Sequence, residues 1–185
     1  MFGYHGKLLQ VNLDTKETKT LELREEDLNN FIGGSGLASK LLYNLIGPDT
    51  DPLGSDNPLV FATGPFTGTL IPSVSRYAVC AKSPLTQIWG EATSGGAFAF
   101  QLKFSGFDGV MVTGKSQKPV YLYVNDGSAE IKDATQLWGK DTYETQETLR
   151  RDIGEAKASI ACIGPAGENL VKYACVINDR GRAAG

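Results

Sequence analysis

One order of sequence signals occurs twice in this chain, and no other feature restricts its fold as much. The first copy begins with Lys7–Leu13, which alternates apolar and polar residues as a half-buried strand does. A polar turn at Asp14–Glu17 then leads to a second alternating run, Thr18–Leu23. Together they predict a β-hairpin. Glu25–Asn30 leads into the glycine-rich Phe31–Leu37, and Leu37, Leu41, Leu42 and Leu45 recur at helical spacing until Gly47-Pro48 stops the helix. After the polar loop Asp49–Asn57 comes a short apolar strand, Pro58–Thr63, which ends in Gly64-Pro65-Phe66-Thr67-Gly68.

The second copy repeats that order. Pro119–Asn125 and Ala129–Lys132 flank Asp126-Gly127, a strong hairpin-turn signal because both residue types accept positive φ. Leu137–Glu144 carries a helix start with Asp141 as the N-cap, and Thr145–Ile153 continues the helix to Gly154. Ala158–Ile163 is a short apolar strand that ends in Gly164-Pro165-Ala166-Gly167. Each turn is followed by a matching strand, Arg76–Cys80 (Arg-Tyr-Ala-Val-Cys) and Lys172–Val176 (Lys-Tyr-Ala-Cys-Val). The prediction is an α+β fold in which two related β-rich halves, 1–100 and 110–185, pack about a pseudo-two-fold axis within a single domain, 1–185. Corresponding loops would then share a face, and such a face suits a nearly symmetric ligand. Between the halves, Ala97–Phe104 is a short helix or strand, Ser105–Gly109 turns, and Val110–Thr113 is a buried strand.

Pro72–Gly96 carries the strongest binding signal. It places Arg76 among small residues at the mouth of an apolar strand and closes on a Thr93-Ser94-Gly95-Gly96 turn. Glycines let backbone approach a ligand, hydroxyls and amides donate hydrogen bonds, and a guanidinium offers a fixed fork to phosphate or a planar polar ring. Alone, this pattern is more readily that of a surface arginine beside an ordinary loop. A second element of the same kind, Asn178-Asp179-Arg180-Gly181-Arg182-Ala183-Ala184-Gly185, favours a site for an anion.

Composition narrows the partners. A net charge of −3 with no basic run argues against a nucleic-acid surface. No apolar stretch approaches the ~18–20 residues that span a bilayer, and the N-terminus lacks a signal peptide's charged start and apolar core, so the expected location is the cytoplasm. Cys80, Cys162 and Cys175 are odd in number, widely spaced and set in apolar runs, which predicts reduced, buried thiols and no metal site. His5 is a lone terminal polar residue. Trp89 and Trp138 read as packing residues, and Arg24–Asp27 and Arg150–Asp152 as solvated charged faces.

Many collinear motifs together carry a family resemblance: Gly6–Thr15, Gly33–Ala38, Ala62–Gly68, Ser75-Arg76-Tyr77, Lys82–Thr86, Ser94-Gly95-Gly96, Leu102–Asp108, Ile163–Leu170 and Asn178–Gly185. They span essentially the whole chain and resemble the N-terminal domain of the aldehyde:ferredoxin oxidoreductase family, the tungsten-pterin enzymes of anaerobes. The resemblance implies a two-halved β-rich domain on which a saddle-shaped tungsten bis-pterin (tungstopterin, or its molybdenum counterpart) sits, with magnesium linking the pterin phosphates. By the same resemblance, Arg76 lies between pterin and a 4Fe-4S cluster. Thr93, Ser94, Gly95, Gly96, Arg182, Ala183 and Gly185 cradle the phosphate ends, the backbone carbonyls of Thr93 and Ala183 reaching the magnesium. Position 93 departs from the family pattern, since asparagine is expected there; a carbonyl ligand would be indifferent to the change, a side-chain amide contact would not.

The resemblance further implies an enzyme that oxidises aldehydes to carboxylic acids and passes electrons through the cluster to ferredoxin or an iron-sulfur partner subunit. Relatives that act on sugar aldehydes or reduce aromatic thioesters leave the substrate open, and a homodimer is among the expected states. The cluster cysteines and the acid–base residues belong to later domains, so this chain is expected to be a portion of a longer protein, inactive by itself and without catalytic residues. The alternative is a stand-alone pterin- or phosphate-binding or assembly module without redox chemistry.

Overall fold

In the computed structural model, which describes residues 2–185, the alternation of the first hairpin becomes the two faces of a mixed sheet. β1 (Lys7–Asn12) and β2 (Glu17–Glu22) pair antiparallel from Lys7↔Glu22 to Asn12↔Glu17. Two helices follow, α1 (Glu25–Phe31) and α2 (Gly34–Tyr43). β3 (Leu59–Thr63), β4 (Arg76–Lys82) and β5 (Trp89–Gly95) form an antiparallel meander. After α3 (Ala97–Phe104), β6 (Gly109–Thr113) enters between β1 and β3, parallel to the first and antiparallel to the second. The resulting strand order is β2-β1-β6-β3-β4-β5.

Because side chains alternate across a strand, the sheet sorts its apolar residues onto two sides. Leu8, Val60, Ala62, Ala78, Cys80 and Met111 pack against Ala38 and Leu42 of α2. On the other side Leu9, Val11 and Val110 meet Leu102, Phe107 and Phe98, with Leu122, Val124, Ala129 and Ile131 packed over them. Those last four come from the second hairpin, β7 (Val120–Asn125) and β8 (Ser128–Asp133). Its turn is the two-residue Asp126-Gly127, with φ of 46° and 78°, as the sequence signal requires.

The remainder of the chain follows the same order on a smaller scale. A 3₁₀ turn at Thr135–Leu137 leads to α4 (Thr142–Ile153), whose first turn Asp141 caps by accepting hydrogen bonds from the amides of Tyr143 and Glu144 at 2.9 and 2.8 Å. β9 (Ala161–Cys162), a single turn of helix α5 (Pro165–Glu168), β10 (Ile177–Asn178) and β11 (Arg182–Ala183) complete it. β9, β10 and β11 form an antiparallel meander, as β3, β4 and β5 do, but each has two residues against five to seven.

Several expectations change here. The strand predicted at Lys172–Val176 is a turn and irregular chain with the strand displaced to Ile177–Asn178, because no sheet face covers it: Tyr173 is 79% exposed and Cys175 is exposed rather than buried. Ala158–Ile163 keeps only Ala161–Cys162 as strand, and Cys162 is half-buried. Ala97–Phe104 resolves to a helix. α2 stops at Tyr43, leaving Leu45 exposed. Trp89 and Trp138 are partly exposed, so neither is a core residue. Arg150 is half-buried, donating to Ala158 O at 3.0 Å and Gln146 Oε1 at 3.4 Å, while Arg24 and Asp27 pair at the surface.

Two buried lysines fasten the sheet's surroundings. Lys103 Nζ pairs with the fully buried Asp108 at 2.5 Å, and that carboxylate also accepts from the backbone amides of His5, Gly6 and Lys7. Lys82 Nζ donates to the carbonyls of Gly47, Pro48 and Thr50, closing the polar loop before β3.

Candidate functional site

β4 begins at Arg76 and β5 ends at Gly95, and these two residues face each other across the ladder. The expected Thr93–Gly96 turn is therefore strand through Gly95, because pairing with β4 carries the extended conformation to the sheet's end. Arg76 donates from its guanidinium to Thr93 Oγ1 at 2.8 Å, and Ser75 Oγ donates to Gly96 O at 2.6 Å. Gly96 has φ +102° and joins β5 to α3. A Cβ there would collide with the Asp179 carboxylate and lie 2.9 Å from Arg182 Cδ, so the absence of a side chain is what lets the second segment lie against the first.

Asn178 is the joint between them. Its side chain is fully buried; Oδ1 accepts from Tyr77 Oη at 2.9 Å and Ser94 Oγ at 2.8 Å, and Nδ2 donates to Gly95 O and Asp179 Oδ2, both at 2.9 Å. Asp179 Oδ2 also accepts from the amide of Phe98 at the start of α3. The turn that follows is backed by α4: Gln146 Oε1 accepts from Arg180 N at 3.2 Å, and a Cβ on Gly181 would meet Tyr143 Oη at 2.7 Å. Beyond the turn, Thr93 N donates to Gly185 O at 3.2 Å, while Ala184 is buried against Tyr77, Val79 and Ala99.

The eight residues singled out from sequence thus occupy one end of the β4–β5 ladder and the strand beside it. Arg76, Arg182, Ala183 and Gly185 are exposed; Thr93, Gly95 and Gly96 are half-buried; Ser94 is buried with its hydroxyl committed to Asn178. His5 and the three cysteines lie outside this group. Sequence reading included Asn178, Asp179, Tyr77 and Ser75 in its motifs but gave none of them a role of its own in building the site. An Asn-Asp pair closing the apolar Val176-Ile177 was the available signal, since a buried amide must find partners.

Neither Arg76 nor Arg182 takes part in any ion pair among the described residues. The face therefore presents two guanidinium groups without carboxylate partners beside a glycine-lined backbone, and Asp179 is already occupied by Asn178 and Phe98. That donor set fits an anionic, oxygen-rich group such as a phosphate. Burial holds the Tyr77 phenol up at about 12, outweighing the nearby Ser94 hydroxyl, so it remains a hydrogen-bond donor at any ordinary pH. Burial likewise raises the Cys80 thiol to about 12 and Cys162 to about 11, so neither is a thiolate nucleophile near neutrality. Among the described residues no group of three or more His, Cys, Asp or Glu side chains could hold a metal ion, and no helix is long and apolar enough to cross a membrane.

Compared with known proteins, residues 8–185 match the family model for the aldehyde ferredoxin oxidoreductase N-terminal domain. The chain belongs to the aldehyde ferredoxin oxidoreductase family. It is 48% identical to a tungsten-containing aldehyde ferredoxin oxidoreductase of Pyrococcus furiosus and 49% identical to one of Thermococcus kodakarensis, each over the whole chain and 31% of the relative. The solved active site complex BamBC of benzoyl coenzyme A reductase, in complex with 1,5-dienoyl-CoA, superposes with a TM-score of 0.96 at 34% identity, over all of this chain and 28% of that one. The chain thus spans about a third of the length of the curated relatives it matches.

Proposed function

We propose that this domain is the tungstopterin-binding part of an enzyme that oxidises aldehydes to carboxylic acids, with electrons leaving through a 4Fe-4S cluster to ferredoxin or an iron-sulfur partner subunit. The observation that carries the reading is the placement of Arg76 beside Gly95 and of Arg182 beside Gly96, neither ion-paired among the described residues, in a chain 48–49% identical to tungsten-containing relatives. When bound, the tungsten centre would supply the two-electron redox change between aldehyde plus water and the acid.

The domain's own residues would bind and orient. Arg76, at the exposed start of β4, would place positive charge beside the pterin, stabilising whichever redox state carries more negative charge. Arg182 and the backbone around Gly95 and Gly96 would hold phosphate oxygens, and the carbonyls of Thr93 and Ala183 would offer the hard oxygen ligands that magnesium prefers. The hydrogen bond from Thr93 N to Gly185 O ties the segments carrying those carbonyls, which would keep their spacing set before magnesium arrives. Ligands of the cluster and the substrate's acid–base groups would come from the rest of the polypeptide. Identity of 48–49% to the aldehyde enzymes, against 34% to a Pyrococcus furiosus aliphatic sulfonate oxidoreductase subunit and 34% to the benzoyl coenzyme A reductase complex, supports an aldehyde substrate.

The test is metal analysis of the full-length native protein purified without oxygen, alongside aldehyde-dependent reduction of a viologen dye. Tungsten, magnesium and iron in fixed proportion, with dye reduction that Arg76→Ala diminishes, is the expected result. Absence of both tungsten and molybdenum would overturn it and leave a binding or assembly module without redox chemistry. A homodimer in the cytoplasm is the proposed state, checked by light scattering and fractionation.

A further inference from the structure

The structure makes position 93 the one that holds Arg76. Gly95 stands directly across the ladder from Arg76 and has no side chain, so the guanidinium can lie along β5 to the next residue on that face. That residue is Thr93, whose Oγ1 accepts from the guanidinium at 2.8 Å. Among the described residues this is the only hydrogen bond the Arg76 side chain makes, and no carboxylate pairs with it.

Three properties make the pairing functional in character. An exposed arginine has many rotamers, and freezing them on binding costs affinity unless something orders the side chain beforehand. Thr93 can do so because β-branching stiffens its χ1 and because it sits inside a paired strand, opposite Ala78, instead of a mobile loop. Its hydroxyl, having accepted from Arg76, makes no hydrogen bond as a donor among the described residues, so its O–H is available to an oxygen of a bound group.

We propose that the Thr93 hydroxyl is a positioning group for Arg76: it fixes the guanidinium against the cofactor face and adds an O–H donor beside it, a role separate from that of the residue's backbone carbonyl. This rests on reading the face as the tungstopterin site. It implies that position 93 tunes the redox centre by way of its side chain, and that valine, which matches threonine in shape but cannot accept a hydrogen bond, lacks the function.

The experiment uses the full-length holoenzyme with Thr93→Val, Thr93→Ser, Arg76→Lys and the Arg76→Lys/Thr93→Val double variant. Metal content and potentiometric titration of the tungsten signal by electron paramagnetic resonance are measured for each. Thr93→Val is expected to keep its tungsten and magnesium, because the carbonyl is unchanged. Its midpoint potential is expected to move negative, since a loosened positive charge stabilises the reduced centre less. Thr93→Ser should titrate as the unmodified enzyme, and the valine shift should vanish when lysine already occupies position 76. Equal potentials for Thr93→Val and the unmodified enzyme would overturn the proposal, as would equal shifts for valine and serine, or loss of tungsten from Thr93→Val alone. Absence of tungsten from the unmodified enzyme would be a failure of the cofactor reading itself, visible before any variant is made.

Discussion

The two regions of this molecule run through one order of elements, hairpin, helix and three-stranded meander, yet hold themselves together by different means. In the first region β3, β4 and β5 are five to seven residues long and join a sheet buried on both faces. In the second, β9, β10 and β11 have two residues each, and the local core is little more than Ala134, Leu137 and Leu149 with Tyr121 and Ile160. The second region instead borrows order through side chains, above all Asn178 reaching into β4 and β5. The proposed ligand face thus lies where a region of short strands is pinned to one of long strands. The pin adds a handful of buried polar atoms to the apolar contacts that Ala184 and the second hairpin make with the first region.

Leu42→Ala, in the sheet's core, should cost about 2–5 kcal/mol and lower the denaturation midpoint of the whole domain. Leu149→Ala should instead speed amide exchange in α4 while leaving β3 and β4 protected; uniform acceleration across both regions would erase the distinction. Asn178→Ala leaves Tyr77, Ser94 and the Gly95 carbonyl without their buried partner. A loss of about 1–3 kcal/mol is expected, with new protease cleavage near Arg180–Arg182, and an unchanged digestion pattern would count against the pin.

Tyr77→Phe removes one of those bonds, for about 0.5–1.5 kcal/mol at neutral pH, and has a pH signature. The folded phenol titrates at about 12 against 10.0 ordinarily, so its contribution is complete below pH 10 and is lost as pH rises toward 12, where the unfolded chain releases its proton first. The unmodified domain should therefore lose more stability between pH 10 and 12 than Tyr77→Phe does; Cys80 and Cys162, likewise raised by burial, add to the alkaline loss in both proteins. An equal drop in unfolding free energy for the two proteins between pH 9.5 and 11.5, read from denaturant titrations, would contradict the burial argument. The smallest effect belongs to the second region's own surface: Asp141→Ala removes the cap of α4 and should fall near the low end of roughly 0.5–2 kcal/mol, readable by circular dichroism on heating.

What the sequence disclosed follows the same division. The hairpin of Lys7–Leu13 and Thr18–Leu23, the Asp126-Gly127 turn and the Asp141 cap are local physics, and each reappears in the fold where expected, although the second strand is exposed along nearly its whole length instead of alternating. Arg76, Thr93–Gly96 and Arg182–Gly185 were legible as related segments because glycine beside guanidinium is itself a local signal, and the fold brings them to one end of the sheet. Lys172–Val176 was misread because its Tyr-Ala-Cys-Val alternation satisfies the strand pattern while no tertiary surface covers it, so Tyr173 and Cys175 stay exposed. Asn178 could not be assigned as the joint, since its partners lie 84 and 101 residues away and only the fold brings them near.

The position of β6 has a bearing on how this domain comes into being on the ribosome. Gly109–Thr113 lies between β1 and β3, pairing Leu8 with Gly109 and Ala62 with Gly109 from opposite sides, so the sheet's middle is among the last of its strands to be synthesised. Until it emerges, the first hairpin and the β3–β5 meander each expose an unsatisfied edge, and neither can be sealed by its nearest neighbours in the chain. Such non-local closure makes for slow acquisition of structure and a window of edge-to-edge self-association. Synthesis stalled before residue 109 should leave nascent chains that aggregate, whereas release after Thr113 should let the sheet zip shut around its final strand.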